Sequence, residues 1–197
     1  MRVFKLVFIG VAAASFIAQA KNTYTVFSLG PAWPVSGSAA PVDTMGDTKK
    51  LGPGWNGSWT FFGLPFSKSG TALSGLGFGG KISYGRWERD STFTEINFLG
   101  TQAIVRYYVP LTIKPFDLFV QAGGGMFIGY HGFTDPDTLN LQYPPTTIQV
   151  TKGIKNTGVS FNIGMDWDVI ELSPGMTMVF TKRKTSAWFE IDAAMKF

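Results

Sequence analysis

A chain of 197 residues has room for one compact domain and little more. It contains no cysteine, which excludes a disulfide framework and a cysteine-anchored lipid, and its 17 basic and 13 acidic residues lie close to balance. The excesses are 24 Gly, 18 Phe and six Trp, a composition that suits close-packed strands with an aromatic-rich exterior.

The first twenty residues read as a segment removed before folding. Arg2 and Lys5 supply a basic start, Leu6 to Ala18 is an uncharged run of thirteen residues, and Ala18-Gln19-Ala20 gives the small-x-small pattern of a cleavage site. A bilayer-spanning helix needs about 20 apolar residues, so the run is too short for an anchor. The expectation is a signal peptide over 1–20, cleaved after Ala20, and a single domain over 21–197. The mature part keeps fifteen basic and thirteen acidic residues, a formal charge of +2, which gives a nucleic-acid partner no electrostatic support.

Beyond Ala20, apolar residues alternate with a period of two and rarely recur at helical spacing. Eight strands are expected, at 24–35, 55–66, 75–87, 95–108, 117–130, 157–169, 175–183 and 187–197. Pro31, Pro34 and Pro65 interrupt the first two. In the third, Gly75 to Gly80 fits G-x-G-x-x-G, but it runs into the alternating Lys81-Ile82-Ser83-Tyr84 and opens no helix, so these are strand glycines. Leu118, Val120, Ala122 and Met126 alternate with Phe119, Gln121, Gly123 and Gly125. Val159, Phe161, Ile163, Met165, Trp167 and Val169 alternate with Ser160, Asn162, Gly164, Asp166 and Asp168. The chain ends with Phe189, Ile191, Ala193, Met195 and Phe197 opposite Trp188, Glu190, Asp192 and Lys196. Long connections at 36–54 and 131–156 share one end with the moderate 88–94. Short turns at 67–74, 109–116 and 170–174, the last carrying Ser-Pro-Gly, occupy the other.

Alternation alone does not say which face points inward. Volume and charge do. The polar face carries Gly77, Gly79, Gly85, Gly123, Gly125 and Gly164, which fit a narrow lumen, while the opposite face carries bulky apolar side chains. The same phase sends Lys81, Arg106, Arg183 and Lys196 inward with Asp166, Asp168, Glu190 and Asp192. Turned toward lipid, a Lys or Arg costs about 2–4 kcal/mol at the midplane, so the opposite phase costs on the order of ten kcal/mol in all. Balanced charge in a narrow barrel points to a cross-linked plug and against a wide pore. Aromatic residues gather at both ends, with Trp33, Trp55, Trp87, Tyr130 and Trp188 at the long-loop end. Tyr24, Phe66, Tyr107, Tyr108, Phe116, Trp167 and Phe197 gather at the other, as two interfacial girdles.

Four stretches carry a resemblance: Ser28-Leu29-Gly30-Pro31-Ala32-Trp33-Pro34, Val120-Gln121-Ala122-Gly123-Gly124-Gly125, Asn162-Ile163-Gly164-Met165-Asp166-Trp167, and the last strand ending in Phe197. In these the chain resembles the small outer-membrane β-barrel family that includes the OmpA membrane domain, OmpX and the opacity-type porin-like proteins. The resemblance implies an all-β, eight-stranded antiparallel up-and-down transmembrane β-barrel in the outer membrane of a Gram-negative-type bacterium. It implies outer-membrane lipid as the surroundings, with the barrel assembly machinery and periplasmic chaperones as partners during biogenesis. The stripe Phe189, Ile191, Ala193, Met195 and Phe197 resembles the family's assembly signal.

Little else carries chemistry. His131 is the only histidine, which leaves no zinc site of the usual kind. In barrels that deacylate lipid A a serine stands two residues after the histidine, and here that position is Phe133. Asp135 and Asp137 flank Pro136 in a polar loop and could offer oxygens to a hard cation, but no metal or cofactor is assigned. The expectation is a monomeric, non-enzymatic barrel with a structural or adhesion-type role, meeting an extracellular ligand through 36–54 and 131–156. A small channel or apolar-ligand barrel is the alternative, ahead of a lipid-modifying enzyme or a soluble lipocalin-like barrel.

Overall fold

A computed structural model of the chain describes residues 22–35, 51–89, 94–111, 115–133, 154–180 and 185–197. The expected signal peptide, Arg183, Asp135, Asp137 and most of both long loops lie outside them. Among the described residues are eight strands: β1 Thr23–Pro34, β2 Leu51–Gly63, β3 Leu76–Arg89, β4 Thr94–Tyr108, β5 Asp117–Phe133, β6 Ile154–Trp167, β7 Ile170–Phe180 and β8 Thr185–Lys196. A short 3-10 helix, Ala72–Gly75, precedes β3 and is capped by the Thr71 side chain. Every strand pairs antiparallel with its sequence neighbour, and β1 closes on β8. Backbone bonds between Thr25 and Phe197, at 3.0 and 2.8 Å, fasten that closure.

Several boundaries differ from the sequence reading. β2 begins four residues earlier than expected, and β5 and β6 extend into the long loop between them. Residues 170–174 are not a turn. The chain reverses at Asp168-Val169, where Asp168 takes a left-handed φ of 56°, and β7 starts at Ile170. Asparagine and aspartate tolerate that conformation better than most side chains. Pro174 is accommodated by a gap in pairing, because the β6–β7 register steps from Asn162↔Gly175 to Met165↔Leu172. The β1–β8 register likewise skips Gly30 and Pro31. Proline brings no N–H, and the Ile191 carbonyl approaches so closely there that only glycine fits at position 30.

The two faces of the wall differ as alternation demands. Phe27, Leu29, Trp59, Phe161, Ile163 and Met195 point out and are exposed. The inward set is polar and small in the middle, but not throughout. Phe62, Phe98, Phe119, Phe127, Trp87 and Trp188 are all buried in the lumen. Facing glycines make room for most of them: a Cβ on Gly85 would overlap the Phe98 ring, and one on Gly164 the Phe119 ring. Two apolar tiers result. Ala32, Trp87, Phe98, Phe127, Val179 and Trp188 fill the long-loop end. Val26, Phe62, Ile104 and Ala194, with Tyr24, Leu64 and Tyr108 packed on them, fill the short-turn end.

These contacts predict a contrast between two glycines. Gly85→Ala should destabilise the barrel by about 1–3 kcal/mol, since the Phe98 ring is hemmed in by Trp87 and Trp188 at 5.0 and 4.8 Å. Gly124→Ala points outward, with its nearest neighbour 3.9 Å away, and should be neutral or slightly stabilising. Urea unfolding of the refolded variants in detergent measures both. Equal losses would contradict the assigned faces.

Candidate functional site

Between the two apolar tiers the lumen is a layer of charged and hydrogen-bonding side chains. Each is set there by strand phase. Glu190 on β8 is its centre. Asn56 Nδ2 donates to it at 2.8 Å and Trp188 Nε1 at 3.1 Å, while Lys81 Nζ, Asn162 Nδ2 and Thr177 Oγ1 each stand at 3.5 Å. These donors come from β2, β3, β6, β7 and β8, so one carboxylate ties together five strands. Asp192, two residues on, is held more loosely, by Ser28 Oγ at 3.3 Å and by Lys81 at 3.8 Å.

Nearer the short turns Arg106 makes the strongest contacts. Its guanidinium meets Glu171 at 2.6 Å, donates to Gln121 at 3.0 Å, and lies between the Phe62 and Phe119 rings at 4.3 and 4.1 Å. Arginine is suited to this place because its planar, weakly hydrated cation stacks on rings while pairing a carboxylate edge-on. Lys196 pairs with Asp166 and lies over the Tyr24 ring, and Tyr108 donates to the same carboxylate at 2.9 Å.

Of the charges placed in the lumen from sequence, Lys81, Arg106, Asp166, Glu190, Asp192 and Lys196 point inward. Asp168 does not: the turn that holds it carries it to the exposed rim. Glu171 was missed. It is buried and pairs Arg106, and reading 170–174 as a turn hid it. The described lumen therefore holds three cations, Lys81, Arg106 and Lys196, against four carboxylates, Asp166, Glu171, Glu190 and Asp192. A continuation of alternation through Glu171, Ser173, Gly175 and Thr177 was the available signal.

The girdles need the same correction. Trp87 and Trp188 belong to the lumen tier, and Tyr24 and Tyr108 pack on the lower one. Trp33, Trp55 and Trp167 are outward as expected, and Trp33 stacks on Phe189 at 6.1 Å between centroids. In the terminal stripe Phe189, Met195 and Phe197 are exposed, and Ile191 and Ala193 share their phase.

This arrangement can hold the strands together. The void beside Lys81 and Asp192 measures only about 10 Å³, room for a single water. Among the described residues no group of three or more histidines, aspartates or glutamates converges as a metal site.

No family model matches the chain, and no curated protein matches it in sequence. Solved structures do. The crystal structure of Neisserial surface protein A (NspA) aligns over 88% of this chain and 95% of its own, with a TM-score of 0.50 and 13% identity. The chain has the fold of NspA. At that identity the likeness is one of fold, and the fold anticipated from sequence, a closed up-and-down barrel of eight strands, is the one observed. The attachment invasion locus protein Ail of Yersinia pestis also matches, at 11% identity over 89% of this chain and 99% of its own, with a TM-score of 0.49. The N-terminal barrel domain of Pseudomonas aeruginosa OprF matches at 12% identity over 91% and 100%, with a TM-score of 0.44.

Proposed function

We propose that this chain is an outer-membrane barrel with a sealed lumen, and that its work is done outside, by the two long connections, 36–50 between β1 and β2 and 134–153 between β5 and β6. The observation that carries the reading is the inverted wall: rings and aliphatic side chains point out around the barrel, while seven charged groups point in. In water that outward surface would be a large exposed apolar patch. In a bilayer it is the lipid-facing band, and closure leaves no strand edge unpaired. Export by the signal peptide over 1–20 supplies the route. The stripe ending at Phe197 supplies the signal for the assembly machinery, with periplasmic chaperones carrying the chain to it.

A filled lumen leaves the long connections as the part of the molecule open to a partner. They face the cell exterior and meet an extracellular ligand or surface, in a structural or adhesion-type role without catalysis. The barrel works as a monomer.

Single cysteines at Ser38 and Asp137 test the orientation. Both should react with a membrane-impermeant reagent on intact cells. Reaction only after the outer membrane is broken would reverse the topology and remove the loops from the surface role. A parallel strain lacking Phe197 should lose most of its barrel from the outer membrane yet refold normally in detergent. Normal delivery would show that Phe197 is no assembly signal.

A further inference from the structure

The polar layer contains acceptors that the protein itself leaves unused. Asn162 Oδ1 and Asp192 Oδ1 are buried and have no hydrogen-bond partner. The orientation of Asn162 is set by its amide donating toward Glu190, since the flipped form would turn its oxygen on a carboxylate. The Asn162 amide occupies the space that a Cβ on Gly175 would need, so the absence of a side chain there lets it lie in this position. Both residues line the same void of about 10 Å³, together with Ser28, Ser58, Lys81 and Ser173. The Lys81 ammonium stands 3.8 Å from Asp192, well beyond the 2.7–2.9 Å of a direct charge-assisted hydrogen bond.

We infer that this layer binds one ordered water, which donates to Asn162 Oδ1 and Asp192 Oδ1 and accepts from Lys81. A water brings two donors to two unused acceptors, and it explains why Lys81 stands off from Asp192. At that separation a water between the two groups can bond to both. The void has the volume for one molecule and the polar partners such a site needs. The apolar tier around Trp87, Phe98, Phe127 and Trp188 lies on one side of the layer, and the tier around Val26, Phe62 and Ile104 on the other. Escape therefore requires an opening of the packed lumen, which sets a residence time on the order of microseconds or longer.

Water magnetic relaxation dispersion on the refolded chain in detergent micelles, paired with a high-resolution crystal structure, tests the site. The expected result is a long-lived water at this site, with density about 2.7–3.2 Å from Asn162 Oδ1 and Asp192 Oδ1. Ser173→Val pushes methyl groups into the void and should remove this water's density and its share of the long-lived signal while the barrel keeps its strand content. Direct pairing of Asn162 and Asp192 with protein donors in the crystal, or a signal unchanged in folded Ser173→Val, would overturn the assignment.

Discussion

Replacing Arg106 by methionine should destabilise the barrel by about 3–5 kcal/mol, among the largest losses available from one residue. The guanidinium is buried, and its removal leaves the Glu171 carboxylate in the lumen without a cation at 2.6 Å. Gln121 and the Phe62 and Phe119 rings lose their shared partner as well. The cost comes mainly from the abandoned charge, because a buried ion pair repays little more than its own desolvation. The double variant Arg106→Met with Glu171→Leu should therefore recover most of the loss. Urea unfolding of the refolded proteins in detergent compares the three. A single variant within about 1 kcal/mol of the parent would mean that Glu171 finds water or another cation, and that the layer is open.

Trp188→Ala should cost a similar amount, about 3–5 kcal/mol, for a different reason. The indole packs on Trp87 at 5.0 Å, Phe98 at 4.8 Å and Phe127 at 6.1 Å, and its Nε1 donates to Glu190. Truncation leaves a cavity that rings held by a closed barrel cannot collapse to fill. Phe189 is the next residue but faces outward, so Phe189→Ala leaves the lumen packing in place and should cost markedly less. Thermal unfolding of the two variants measures the difference. Equal losses would mean that the strand phase of β8 is wrong.

That phase was legible in the sequence from Trp188, Glu190, Asp192 and Lys196, and with it the inward direction of most lumen charges. What misled was local. Trp188 stands near a strand end, and a large aromatic there also fits an interfacial belt. Room in the tier that Trp188 joins comes from facing glycines, Gly54 beside Trp87 and Gly85 beside Phe98, whose neighbours across the sheet are settled only by register. Glu171 was concealed because Ser-Pro-Gly is turn chemistry. Pro174 enters a strand here because it faces outward at a gap in the β6–β7 ladder, and no local rule shows where a ladder has a gap. Asp168 continued the alternation on paper, but the positive φ that reverses the chain ends the period two residues earlier. Glu190 could be placed inward from sequence, whereas its five donors from five strands depend on closure and could not.

On the proposed reading, the apolar face of this barrel meets lipid in the outer membrane. Density-gradient separation of cell membranes, with a carbonate wash to strip peripheral protein, tests it most directly. The mature chain is expected in the outer-membrane band, resistant to carbonate and released only by detergent. Recovery of folded chain from the soluble periplasm or the medium would contradict it.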